Sequence, residues 1–193
     1  MTIADLTAKI KSGEVDTVVV AMTDMQGRLT GKRIHGTFFL DEVLKHGTEG
    51  CNYLLAVDVD MNTVDGYEMS SWERGYSDFA LVPDMDTLRM IDWQEGAALV
   101  LADVQWLDHT DVVASPRQIL RKQVKALKDA GMEAMCGTEL EFVVYKDTYE
   151  EAWNKGYKNL IPVNQYNVDY SILGGSRIEP LLRRIRLSMA KAG

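Results

Sequence analysis

A chain of 193 residues, 46% hydrophobic and 26% charged, can bury a real core in one or two domains. Its formal net charge of -8 excludes the basic footprint of a nucleic-acid binder or of a protein drawn to anionic membranes. The two cysteines, Cys51 and Cys136, lie too far apart for a CxxC or Cys/His cluster and fit a reducing cytoplasm. Neither a signal-peptide pattern nor an apolar run long enough to span a bilayer is present, so a soluble cytoplasmic protein is expected.

Ile3, Leu6 and Ile10 fall on one face of a first helix that Ser12-Gly13 can end. Val15 to Met22 reads as a buried strand, Asp24-Met25-Gln26-Gly27-Arg28 as a turn, and Leu29 to Ile34 as the returning strand of a hairpin. Phe38, Phe39, Leu40, Val43 and Leu44 sit at helical spacing, with Thr37 as the expected cap and Gly47 as the stop. Leu54 to Val57 predicts a short strand. From Asp58 to Ser77 periodicity vanishes. So long a connection, rich in aromatics, methionines and acids, predicts an ordered, functional loop. Asp78 to Val82 predicts a strand that Pro83-Asp84 ends, and Leu88 to Ile91 and Ala97 to Val104 predict two more. The first part is thus a small α+β unit, a sheet packed on one or two helices.

A boundary is expected near His109-Thr110-Asp111. Ser115-Pro116 then opens a helix with an apolar stripe of Ile119, Leu120, Val124 and Leu127, closed by Gly131. Thr148 to Glu151 has capping-box spacing for a short helix. Ile178, Leu181, Leu182, Ile185 and Met189 line a final one whose apolar face calls for a sheet.

Between these helices, Gly137-Thr138-Glu139-Leu140-Glu141-Phe142-Val143-Val144-Tyr145 alternates at strand period. Glu139 and Glu141 would share one face, while Leu140, Phe142 and Val144 face a core. Two stacked carboxylates repel unless a positive charge lies between them. Their hard oxygens suit Mg²⁺ or Mn²⁺ better than Zn²⁺. The same pattern also describes a solvated, acidic outer face of an antiparallel strand.

Cys136-Gly137-Thr138-Glu139-Leu140-Glu141-Phe142 resembles the glycine-then-Glu-x-Glu-aromatic strand of the glutamine synthetase family. Asp24 to Arg28 with Lys32 resembles the hairpin of that family's N-terminal β-grasp domain. Ser77-Asp78 through Pro83-Asp84 resembles its Ser-Asp-(apolar)-Pro-Asp strand, and Ser115-Pro116-Arg117 matches the start of its catalytic domain. The resemblance implies a β-grasp-like domain over 1–112 and the beginning of an ATP- and metal-binding catalytic α/β domain over 113–193. The chemistry it implies is phosphorylation of glutamate's γ-carboxylate by ATP, followed by displacement of phosphate by an amine or ammonia. Glu141 matches the metal ligand on the glutamate side and Glu139 the one on the nucleotide-phosphate side. Asp78 matches a carboxylate of the ammonium site, and Asp65 is the counterpart of a second. The resemblance further implies Mg²⁺ or Mn²⁺, ATP as co-substrate, and a homo-oligomeric ring.

The chain departs from the family in two ways. Asp65-Gly66-Tyr67-Glu68 stands where ammonia-using members have Asp-Gly-Ser-Ser, as in members that take larger amines such as ethanolamine or polyamines. Met61, Tyr67, Met69 and Trp72 would line an apolar acceptor pocket or else anchor the loop. The family's other metal-binding glutamates, its histidine and its substrate-gripping arginines have no counterpart within the 193 residues. The catalytic domain therefore reads as truncated, and the chain itself as inactive alone. The alternative expectation is a non-catalytic module that assembles with full-length subunits.

Overall fold

The structure is a computed structural model and describes residues 1–73 and 75–193. They form two compact units, residues 1–134 together with 191–193, and residues 135–190. The fold class is mixed α+β.

The first unit is built on a five-stranded sheet. Its strands are β1 (Thr17–Thr23), β2 (Leu29–His35), β3 (Thr48–Cys51), β4 (Asp78–Met90) and β5 (Ala97–Gln105), in spatial order β2-β1-β5-β4-β3. The two central strands, β1 and β5, run parallel, with Val18 opposite Ala98 and Val20 opposite Val100; the other neighbours are antiparallel. Alternation places Val18, Val20 and Met22 of β1 on one face, beside Ala98, Val100 and Ala102 of β5. This face packs with Leu6 of α1 (Ile3–Ser12) and with Phe39 and Val43 of a helical run over 36–46. That run comprises α2 (Gly36–Phe38), a π-helical turn (Phe39–Val43) and α3 (Leu44–His46). Helix α1 begins with a capping box, Thr2 Oγ1 accepting from Asp5 N and the Asp5 carboxylate accepting from Thr2 N. Gly31 crosses so close to β1 that any Cβ there would overlap the Val20 carbonyl oxygen.

Three expectations are corrected here. Leu54–Val57 is not a strand: Asn52–Leu55 forms a 3₁₀ helix, and the preceding Thr48–Cys51 is the strand. A four-residue apolar run does not by itself distinguish the two. Pro83 does not end β4, which continues to Met90 through a bulge between Asp84 and Arg89. Beyond Leu81, where β3 has ended, β4 has only β5 beside it among the described strands, and a proline is tolerated at such an edge. The helix after β2 starts at Gly36 with His35 in the capping position and no side-chain cap, so Thr37 is not the cap.

Helix α4 (Pro116–Asp129) forms as the Ser-Pro signal predicts, but its apolar stripe does not dock. Ile119, Leu120 and Val124 are exposed, Leu120 by 63%. The sheet side carries Arg117, Gln118 and Arg121 instead. Arg117 donates to Asp84 Oδ2 at 2.5 Å and to Asp103 Oδ1 at 3.0 Å, and Arg121 pairs with Asp103 Oδ2 at 2.6 Å and Asp84 Oδ2 at 3.4 Å. Two acids from β4 and β5 thus hold two guanidinium groups from one helix, with formal charges balanced.

The second unit contains α5 (Tyr149–Asn154), α6 (Ile172–Ser176) and most of α7 (Glu179–Ala192). Thr148 and Glu151 form the predicted capping box. The Asp147 carboxylate accepts from Lys155 Nζ at 2.5 Å and from Ile161 N at 2.7 Å, closing the loop around α5. The segment 132–144 forms neither a helix nor a paired strand. Its pairing begins only where Val163 N donates to Val144 O and Lys146 N to Ile161 O. The predicted core side is therefore open: Leu140 is 88% and Phe142 53% exposed. Alternation alone encodes a strand's faces, whereas burial needs a neighbouring strand, which the described residues do not supply. No helix is long and apolar enough to cross a membrane among the described residues.

Arg117→Ala should lower unfolding free energy by about 2 kcal/mol, between exposed and buried ion pairs, while Leu120→Ala should stay within about 0.5 kcal/mol. Urea unfolding of both variants checks this; the reverse ranking would mean that α4 docks through its stripe. The open apolar faces of the second unit should also make the chain bind a hydrophobic dye at neutral pH, and fluorescence at the level of dye alone would contradict the observed exposure.

Candidate functional site

The four predicted site acids divide between the units, Asp65 and Asp78 in the first and Glu139 and Glu141 in the second. Asp65 is exposed in a turn with Gly66, whose φ of 92° requires glycine's freedom. Asp78 is half-buried at the first position of β4, in register with Cys51 of β3. Glu139 and Glu141 are exposed on the unpaired segment. Among the described residues no three His, Cys, Asp or Glu side chains converge to hold a metal ion. The two glutamates have the right oxygen chemistry for a hard cation, but two carboxylates do not fill the six-fold shell that Mg²⁺ demands. This chain's described residues do not assemble the metal site.

The long loop between the 3₁₀ helix and β4 is ordered by specific bonds; its residue 74 lies outside the described residues. Its root is clamped by the β1–β2 turn. Asp24 is 1% exposed, and its carboxylate accepts from Gln26 N at 2.9 Å, Arg28 N at 2.8 Å and Arg28 Nε at 2.8 Å. Burial pushes the Asp24 carboxyl up, but these hydrogen bonds and the Arg28 charge outweigh it and hold the group below the usual aspartate range. Arg28 then reaches across to the loop, Nη1 donating to Val59 O at 2.6 Å and Nη2 to Asp58 O at 3.2 Å. Gln26 Nε2 adds a bond to Val57 O at 3.1 Å. Just beyond, Asp58 N to Asn62 O and Val64 N to Ala56 O close a small hairpin that ends one residue before Asp65. Hydrogen bonds from Asn62 and Asp60 lower the Asp58 pKa.

The far end of the loop is tied by Asn52. This residue is 2% exposed, and its Nδ2 donates to Met69 O at 2.8 Å and Ser77 Oγ at 3.2 Å, while its backbone N–H meets Ser77 O at 2.8 Å. Asn52, Glu68, Met69, Gly75, Ser77 and Trp106 line a cleft of about 520 Å³. Of the four pocket side chains expected, only Met69 lines it. Trp72, itself 77% exposed, packs edge-on against Tyr76 at 5.2 Å, and Tyr76 against Tyr53 at 6.0 Å. Asn52 and Trp106 escaped the sequence reading because they lie outside the loop. No periodicity links them to it, although an asparagine in an apolar stretch was a signal.

Residues 113–193 match the model of the glutamine synthetase catalytic domain. Over 191 residues, 99% of this chain and 41% of the relative, the sequence is 62% identical to gamma-glutamylethanolamide synthetase GlnA4 of Streptomyces coelicolor. The chain belongs to the glutamine synthetase family. It is also 32% identical over 184 residues to the glutamate–isopropylamine ligase of a Pseudomonas species, covering 95% of this chain and 40% of that one. The chain thus spans about two-fifths of the length of these curated relatives. In fold it resembles GmaS in a GmaS/ADP complex, with a TM-score of 0.51 and 16% identity over 66% of this chain and 26% of that one. A crystal structure of a novel glutamine synthase homolog gives a TM-score of 0.51 with 21% identity, over 60% of this chain and 27% of that one.

Because the folded pKa of Asp24 is depressed, its contribution to stability is present above the unfolded value and lost as pH falls through the folded one. The melting temperature of Asp24→Asn should therefore lie below wild type at pH 7, with the gap closing as pH drops below about 3.9. A gap unchanged at pH 2.5 would show that the carboxylate's charge is not what holds the turn.

Proposed function

We propose that the protein containing these residues is an ATP-dependent ligase that joins glutamate's γ-carboxyl to an organic amine through γ-glutamyl phosphate. The observation that carries this reading is the 62% identity over 99% of the chain to a gamma-glutamylethanolamide synthetase, which spans both the loop bearing Asp65 and the Glu139-x-Glu141 segment. In this reading residues 1–112 are a β-grasp-type domain, supported by a central parallel pair flanked by antiparallel strands. Residues 113–193 open the catalytic domain. Glu139 and Glu141 would hold Mg²⁺ or Mn²⁺ through carboxylate oxygens, and the ion would neutralise charge on the transferring phosphoryl group. Asp78 and Asp65 favour the cationic amine, and Asp78 then takes its proton. The working assembly is a homo-oligomeric ring.

The loop argues for an organic amine over ammonia. Ammonium is small and strongly hydrated, so binding it requires several acceptors fixed close together, and the two short serines are replaced by the long side chains of Tyr67 and Glu68, which leave room for a larger amine. An alkylamine also buries methylenes at about 0.8 kcal/mol each, so two contribute about 1.6 kcal/mol, more than a tenfold preference. The full-length protein, given ATP, glutamate and equal free concentrations of ethanolamine and ammonia, should yield mainly γ-glutamylethanolamide by mass. Glutamine as the main product would refute the loop argument. Glu141→Gln should cut turnover at least a hundredfold by removing a metal ligand; unchanged turnover would refute the ligase assignment.

A further inference from the structure

The β1–β2 turn reaches outside its own hairpin. Arg28 makes four hydrogen bonds through its guanidinium: one to the buried Asp24 carboxylate, one to Gln26 Oε1 at 3.2 Å, and one each to the carbonyls of Asp58 and Val59. A turn of this kind needs only Asp24 and the backbone N–H groups of Gln26 and Arg28 to close. Two of the guanidinium's other bonds are directed at a segment thirty residues further along the chain, and Gln26, itself bonded to Arg28, joins them on Val57 O. Three consecutive carbonyls at the root of the loop are therefore held by one turn.

What lies just past that root gives the clamp its purpose. The small hairpin over 56–64 is closed by Asp58 N to Asn62 O and Val64 N to Ala56 O, with Met61 at a left-handed φ of 67°. Asp65 follows directly. We propose that Arg28, held by Asp24, is a positioning residue for the acceptor amine: it fixes the root of the 56–77 loop and with it the place of Asp65. This inference rests on the ligase reading given above and names the part of the fold that sets its acceptor side. Arg28 touches neither Asp65 nor the cleft through any observed bond; it acts through the 56–64 hairpin.

The geometry calls for arginine in particular. The planar fork presents Nε to Asp24 while Nη1 and Nη2 face carbonyls in other directions. A lysine keeps the positive charge but brings it to a single point, so it satisfies Asp24 or the loop and not both. Arg28→Lys separates positioning from charge, and Arg28→Met removes both.

Two readouts test this. In the 1–193 chain, amide hydrogen exchange should speed up at least tenfold for Met61, Asn62 and Val64 in Arg28→Lys, with the β1 and β5 amides unchanged. In the full-length protein, with ethanolamine as the amine, Arg28→Lys should raise the amine KM about tenfold or more, leaving the KM for glutamate and for ATP within about twofold. A role confined to overall stability would instead slow the enzyme by lost folded protein and move no KM selectively. Unchanged exchange in the 56–64 hairpin overturns the clamp. Faster exchange with an unchanged amine KM overturns its link to the acceptor. A wild-type protein that forms no γ-glutamyl amide overturns the ligase reading and takes the acceptor role with it. A working wild type with an unaffected Arg28→Lys variant overturns this inference alone.

Discussion

The parallel pairing of β1 with β5 is the constraint on which the first unit depends. Two parallel neighbours cannot be joined by a tight turn, so the chain between them must leave the sheet and return. That requirement places β2 on one flank and β3 and β4 on the other, and gives the helical run 36–46 an apolar face to cover. It also leaves the long loop between the 3₁₀ helix and β4 without a neighbouring strand for most of its length. Its order comes from side chains, Arg28 and Gln26 at one end and Asn52 at the other. Asp65 thus sits where the strand ladder is absent, while Asp78 opens β4 beside Cys51, a division between a rigid scaffold and the loop it carries.

Helix α4 follows a different logic. An apolar stripe normally marks the buried side of a surface helix. Here the stripe is open and the docked side is charged, because β4 and β5 present Asp84 and Asp103 together. Asp84 is the closing residue of the Ser-Asp-(apolar)-Pro-Asp motif, which reads in sequence as a strand end. In three dimensions it is the seat for two guanidinium groups donated from more than thirty residues away. The open stripe and the arginine-bearing side that meets the acidic seat are two sides of one helix, so the stripe is free of the contacts that anchor it.

Legibility divides along the same line. Features fixed within a few residues were readable: the Asp24–Arg28 turn, the Thr148 capping box, the Ser115-Pro116 start and the glycine stops. Features decided by distant neighbours were not. The run Leu54–Val57 carried no mark of a 3₁₀ turn, Pro83 gave no sign that β3 would already have ended, and Leu140 and Phe142 alternate correctly around a core that the described residues do not build. Asp65, Asp78, Glu139 and Glu141 are singled out by motif resemblance alone, and they divide between the two units. Asn52 and Trp106 became visible only when the fold brought them to the cleft.

The order in which the sheet closes has a consequence in time. More than 70 residues separate the end of β1 from the start of β5. At 5–20 residues per second, a ribosome takes roughly 4–15 s to supply the central partner strand. Through that interval Val18, Val20 and Met22 emerge with only β2 alongside, and an unpartnered apolar strand edge is prone to the wrong neighbour. The turn that joins β1 to β2 carries its own ion pair and backbone bonds, all within five residues, and so can close within microseconds of leaving the ribosome. During synthesis it would act as a self-contained guard on one edge of the nascent sheet until β5 arrives to take the other.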